Sequence, residues 1–423
     1  MQTKSWLSLF ALLGLAMAIL ACGPSSPTPT SIPPTPYVAP PLATESPIPP
    51  ATEAPTEPPA SMLPSGTVAL YTSGEWESWT LYALGGDLTV TSLGTVIPAG
   101  AVASRSGQWI AYPTASHGAT TVIIARPDGT VVHTVTAPVG ADPSAAGVMG
   151  MAFDRSETRL AFLGVGGPAA EGTPWSITVV NLADGSMATF DATTGADGSF
   201  LPGNPFGWAA GDGELLIDRF PPYSEGVPLG IWAFALPPGA PAGPLSSRAH
   251  RELLASGSYA SPARLSPDGT RLLYTARDPA YTPAGYEVMM MDLAVNQLWS
   301  LDIASGASSM LFAATDGSAL GHTAAWSPDG AQVLYAQGNY AGPNFGSLTL
   351  KLRDSSGVVR EIGPLPLLPG GYFLGLDWCA PNMALARLAT SDFTNQLYAI
   401  RLSDGGVTLL ASDGAISVLS CIP

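Results

Sequence analysis

The chain has 423 residues, with 47 Gly, 42 Pro, two Lys and a formal charge of −16. Gly and Pro at about a fifth of the residues are too many for a helical protein and suit a chain of many turns. The acidic balance argues against nucleic acid and anionic lipid headgroups as main partners, since both would repel it.

Residues 1–21 read as an export signal. Lys4 supplies the positive start, Trp6 to Leu20 the apolar stretch, and Ile19-Leu20-Ala21-Cys22 the processing site. The stretch resembles a bacterial lipoprotein signal, which implies that Cys22 is lipidated and becomes the mature N-terminus. An ordinary signal peptide and an uncleaved anchor are the alternatives. Residues 22–64 form a Pro/Thr/Ser/Ala/Glu run with too few apolar side chains to bury, so they are expected to stay unfolded. Such a Pro-rich chain favours extended polyproline II and could reach on the order of 100 Å. The expected arrangement is an extracytoplasmic domain carried on a stalk from the outer face of a bacterial membrane.

From Ser65 to Pro423, strand-like runs alternate with Gly/Pro/Asp/Asn clusters, with no sustained helical period. Two phrases are nearly the same: Arg264-Leu-Ser-Pro-Asp-Gly-Thr-Arg-Leu-Leu-Tyr274 and Ala325-Trp-Ser-Pro-Asp-Gly-Ala-Gln-Val-Leu-Tyr335. In each, an apolar stub (strand a) enters Pro-Asp-Gly and a second strand (b) leaves, a hairpin in which Pro sets φ, Asp bonds its own backbone and Gly takes the positive-φ corner. Weaker copies of this turn fall at Arg105-Ser106-Gly107, Asp154 to Glu157, Asp212-Gly213 and Pro381-Asn382, about 41 to 61 residues apart. That spacing fits one four-stranded unit each. In the fifth unit the predicted strands are Ala263 to Ser266, Arg271 to Ala276, Glu287 to Leu293 and Gln297 to Ile303. At the two ends lie complementary fragments. Strands b, c and d, at Gly66 to Thr72, Ser78 to Ala83 and Thr89 to Leu93, have no a strand before them, and Ile416 to Ser420 is an a strand with nothing after it. Splitting one unit between the ends is what a closed ring needs and a linear array does not. The fold expected is all-β, a seven-bladed β-propeller closed by its C-terminal strand, with six or eight blades as alternatives.

The two sharp phrases resemble the WD-repeat-like propeller repeat of TolB-type proteins, over roughly Ser65 to Pro423. Cys379 and Cys421 both end a strands, where other units carry Ser266 and Ser327. They are either bridged across the ring closure or two small buried side chains in equivalent places.

Insertions fall mostly on one face, in the b–c loops Gly164 to Trp175, Arg219 to Gly230, Arg277 to Gly285 and Gln337 to Gly346. The same face has the d–a loops Pro138 to Gly147, Ala192 to Asn204, Ser305 to Gly321 and Pro364 to Tyr372. Pro237 to His250 is the exception, on the other face. Loop insertions on a rigid scaffold are where binding is built. This face also carries Trp175, Phe220, Tyr223, Tyr281, Tyr286, Tyr340, Phe345 and Phe393, of which Trp175, Tyr223, Tyr281, Tyr286, Tyr340 and Phe345 are the candidate ligand-binding residues. The alternative for each is packing against its own loop. No nucleophile elbow, phosphate loop, calcium loop or His-Glu-x-x-His occurs, so no catalytic residue, metal or cofactor is assigned. Of His117, His133, His250 and His322, only His322 falls near a channel mouth. Loop acids Asp142, Glu171, Asp197, Glu225, Asp278 and Asp316 are either solvated or cation-holding. The function expected is a monomeric, membrane-anchored binding or scaffolding module for a protein or glycan, using the long-loop face. The alternative is a propeller enzyme of glycan hydrolase or lyase type, with its site at the channel mouth.

Overall fold

The computed structural model describes residues 63–422, apart from 76–77, 116–119, 138–145, 167–174, 193–202, 220–228, 279, 281–294 and 342–343. The signal, Cys22 and the stalk lie outside the described residues. The described chain is all-β, with one short 3-10 turn at Leu245–Ser247 and no α-helix among the described residues. Seven sheets, antiparallel but for one short strand added to blade three, form the blades. Their innermost strands are Ala415–Cys421, Val102–Ala103, Ala146–Phe153, Gly203–Trp208, Ala260–Leu265, Ala319–Trp326 and Tyr372–Ala380.

Blade one is the split blade. Ala415–Cys421 pairs antiparallel with Thr67–Glu75, with Tyr71 opposite Val418 and Ser73 opposite Ile416. Ser78–Gly85 and Val90–Ile97 complete the sheet. Beside this closure a disulfide joins Cys379 of blade seven to Cys421, their Cα atoms 4.5 Å apart.

The second strands are apolar on both faces, as in Leu215-Leu216-Ile217 and Leu272-Leu273-Tyr274, because each blade packs a neighbour on either side. Seven separate hydrophobic clusters result, one per blade-to-blade interface. One of them, with Tyr71, Leu84, Met383, Leu385 and Ile416, joins blade seven back to blade one. An open array of seven blades would have six such interfaces; the seventh closes the ring.

Five blades make the same a–b turn. Gly107, Glu157, Asp212, Gly269 and Gly330 donate their backbone N–H to Ser104, Asp154, Ala209, Ser266 and Ser327 carbonyls, and all five have positive φ. Gly269 also has no room for a side chain, since a Cβ would lie 2.9 Å from both the Ala210 nitrogen and Arg155 Cδ. Glu157 (φ 55°) and Asp212 (φ 54°) hold the left-handed corner without being glycine. Their carboxylates reach back one blade: Glu157 accepts from Ser106 N and Ser104 Oγ, and Asp212 from Arg155 N and Ser156 N. Hydrogen bonds between blades here offset the strain of a side chain at positive φ, of order 1 kcal/mol.

Two parts of the chain differ from the sequence reading. In blade five the third strand is Gln297–Asp302, pairing Leu272 with Leu301, and the fourth is Ser308–Ala313. Glu287 to Leu293 lies outside the described residues, and Ser305 to Gly321 holds a strand where a loop was expected. The reason is visible in the turn. Gly306 N donates to Asp302 O as Gly185 does to Asn181 and Gly405 to Arg401, so Asp302 to Gly306 is a c–d turn. The fourth strand leaves no apolar alternation in the sequence because Ser308, Ser309 and Met310 are exposed. In blade six, Gln337 to Gly346 is an extended hairpin rather than a loop, with Tyr340 opposite Phe345 and Ala341 opposite Asn344.

The insertion at Pro237 to His250 covers a sheet edge. Gly243–Pro244 pairs parallel with blade three's outer strand, opposite Phe190 and Asp191, and Leu245 is buried in the core shared by blades three and four.

Candidate functional site

The inner strands enclose a channel with a cavity of about 600 Å³, lined by residues of all seven blades from Ala101 to Cys421. It sits at the end where the a–b turns gather. That is the face opposite the long loops.

The walls are braced by repeated devices. Trp208 Nε1 donates to Ala152 O at 3.2 Å, and Trp326 Nε1 to Arg264 O at 3.3 Å, each linking a blade to the one before it. Arg159 and Arg271, at the start of their second strands, stack on these indoles at 4.3 and 4.4 Å. Each also donates onward to a turn carbonyl of the next blade, Asp212 O and Gly330 O. In blade three the turn carboxylate is fully used. Asp154 accepts from Thr158 N, Arg159 N, Thr158 Oγ1 and Arg159 Nε at 2.7 to 3.0 Å, and its side chain is shut off from solvent. Asp268 and Asp329, which read as turn formers, are that. Asp268 accepts from Ser266 Oγ and Thr270 N, and Asp329 from Ser327 Oγ and Ala331 N. Burial pushes the Asp268 carboxyl up, but the hydrogen bonds from Ser266 and Thr270 outweigh it and hold it at about 2.

At the mouth, Arg105 reaches from blade two to donate to Pro267 O of blade five at 2.9 Å, spanning the opening. Arg155 lies beside it, and its pKa is lowered by burial and by Arg105, against the pull of Asp212 and Asp268. Deeper, cations outnumber the acid that faces them. Arg264 Nη2 of blade five stands 3.5 Å from Asp377 Oδ1 of blade seven. The pair thus joins two blades that are not neighbours in the ring. Arg387, on blade seven's second strand opposite Gly375, shares their field; burial lowers its pKa, Asp377 opposes and Arg264 adds to the lowering.

Of the six expected ligand-binding aromatics, only Trp175 has a described side chain. Trp175 begins a strand and is 6% exposed, packed in the core between blades three and four, so its ring is not offered to a ligand. Tyr340 and Phe345 are register partners in the backbone of the blade-six hairpin. Tyr223, Tyr281 and Tyr286 lie outside the described residues, as do Phe220, His117, Asp142, Glu171, Asp197 and Glu225. Phe393 is 67% exposed and stacks on Tyr372 at 5.4 Å, an aromatic pair on the long-loop face. Asp278 and Asp316 accept from the backbone of Ala280 and Ser318. His133 bonds Leu182 O, His250 stacks on Phe234, and His322 sits on blade six's inner strand with burial lowering its pKa. No three His, Cys, Asp or Glu among the described residues converge on a metal position. Sequence reasoning missed Arg264, Asp377 and Arg387. Their only signal was an Arg before one sharp turn and an Asp at the matching place two blades on.

No protein-family model matches this chain, and no curated protein matches it significantly. Among solved structures it is similar to an oligogalacturonate lyase in complex with manganese, with TM-score 0.51 and 12% identity over 78% of this chain and 90% of that one. It is also similar to a puromycin-hydrolyzing peptidase of Mycobacterium tuberculosis, with TM-score 0.52 and 14% identity over 84% of this chain and 57% of that one. At such identities the likeness is one of fold. The chain is a seven-bladed β-propeller, and TolB-type, WD-repeat-like describes it at that level.

Proposed function

We propose that this chain is an extracytoplasmic binding module, held at a membrane through lipidated Cys22 and the 22–64 stalk, that takes a small ligand into its channel. The observation that carries the reading is the cavity of about 600 Å³, within the range of small-molecule sites and reached past two arginines at the a–b mouth. Thermal-shift screening of the full chain in detergent, against neutral sugars, amino acids and organic acids, tests it. Hits weakened by Arg155→Ala and kept in a Tyr223/Tyr281/Tyr340→Ala triple variant support the channel. The converse pattern moves the site to the long-loop face and a protein or glycan partner, a reading the exposed Phe393–Tyr372 pair favours. Cys22→Ser releases the chain from membranes if the anchor is as proposed; retention there overturns the anchor alone.

An enzymatic reading of glycan hydrolase or lyase type draws on His322, an imidazole that burial keeps neutral near neutral pH. Turnover of a glycan, abolished in His322→Ala, would favour it.

A further inference from the structure

Two charged residues on the cavity wall, Arg264 and Asp377, and a third in their field, Arg387, are under-paired. Three atoms of these side chains, Arg264 Nε, Asp377 Oδ2 and Arg387 Nε, are buried and make no hydrogen bond. The ion pair between Arg264 and Asp377 spans 3.5 Å, against about 2.8 Å for a charge-assisted hydrogen bond. Buried charges without hydrogen bonds cost stability and persist where something else satisfies them. The chain also makes room for this arrangement. A Cβ at residue 375 would meet Arg387 Nη2 at 2.6 Å, so glycine there lets the guanidinium lie across blade seven's inner strand. The cluster carries two guanidiniums to one carboxylate, one net positive charge in a protein of −16.

We propose that Arg264 on the cavity wall, with Arg387 in its field, forms the recognition point for the carboxylate of a small organic acid. This rests on the channel being the ligand site. A planar guanidinium pairs bidentately with a carboxylate, and one ligand charge neutralises the cluster's single surplus. A phosphate dianion exceeds that surplus and meets Asp377 at close range, so the class is carboxylate rather than phosphate. Asp377 keeps the cluster from holding two cations unopposed when the site is empty, and limits how tightly any anion is held.

The test uses the full chain in detergent, titrated with glucuronate, benzoate, glucose and glucose 6-phosphate at fixed ionic strength, read by Tm and calorimetry. Expected are saturable stabilisation by at least one of the two carboxylates, none by glucose, and a weaker response to glucose 6-phosphate. Arg387→Met should weaken carboxylate binding about tenfold or more, the value of a lost charge-assisted hydrogen bond. Asp377→Asn should tighten it, which a purely structural Asp377 would not do, and this arm stands even where Arg387→Met folds poorly. A preference for the phosphate, equal binding by Arg387→Met, or weaker binding by Asp377→Asn overturns the proposal. Channel binding of glucose alone, lost in Arg155→Ala, overturns this cluster's role and leaves the binding-module reading standing. A response to none of these probes overturns the carboxylate assignment, and the wider screen then decides whether the channel binds at all.

Discussion

The channel rim at blades two to four and the rim at blades five to seven are built from equivalent strands, yet they treat charge in opposite ways. In the first, Asp154 and Arg159 are buried together, Arg159 stacks on Trp208, and its Nη1 donates to Leu236 O. Glu157 and Asp212 use their carboxylates to hold the preceding blade's turn. In the second, Arg264, Asp377 and Arg387 leave buried polar atoms without partners. Charge that is fully hydrogen-bonded holds blades in register; charge left partly unsatisfied in a cavity is available to a ligand. The same residue types thus serve structure on one side and recognition on the other, and mutational cost should separate them.

The largest effect is expected at Asp154. Asp154→Ala strands a buried Arg159 and should lower unfolding free energy by roughly 3–5 kcal/mol in denaturant titration. Arg387→Met should cost little or even stabilise, because an under-paired buried cation is replaced by an apolar chain of similar length. Equal losses in the two variants would erase the distinction between the rims. Next comes the disulfide. Its sequence separation of 42 predicts roughly 4 kcal/mol of loop-closure stabilisation, read as a lower Tm under reductant, and an unchanged Tm would mean that blade pairing alone closes the ring. A smaller effect belongs to Arg271→Ala, which removes the stack on Trp326 and the bond to Gly330 O, about 1–2 kcal/mol together.

Two pH effects sharpen the contrast further. Burial lowers the His322 pKa from its ordinary 6.5, so the unfolded chain binds the proton more readily than the folded one. Stability should therefore be complete above about pH 6.5 and fall as pH drops below it, a slope that His322→Gln should flatten in a pH series of melts. Asp268 acts in the more acid range. Its carboxyl is held at about 2 against 3.8, so its contribution is present above about pH 4 and lost as pH falls toward 2. Asp268→Asn should remove that part of the acid transition, the smallest effect of the set.

Much of the ring was legible in the chain because it is written in local chemistry. Pro-Asp-Gly between apolar stubs needs only its own backbone and side chains to make a turn, and Ser266 and Ser327 close theirs with hydrogen bonds inside the same few residues. The split blade was legible for a similar reason: a lone strand at one end and three at the other can be matched without coordinates. Blade five failed where the local signal was weak. Met310 and its neighbours face solvent, so alternation vanished, and only pairing with Gln297–Asp302 assigns that strand. Trp175 read as a loop aromatic because its flanks are Gly- and Pro-rich, but its ring enters the inter-blade core.

The sequence by itself determined the turns, their period and the need for closure, since each depends on neighbours along the chain. Only the tertiary structure decided which charges share a cavity. Arg264 and Asp377 are 113 positions apart and belong to blades that are not adjacent, and they approach only because closing seven blades turns their inner strands toward one axis. Whether a buried guanidinium is satisfied or left open depends on through-space distances of a few ångströms, which local pattern does not encode.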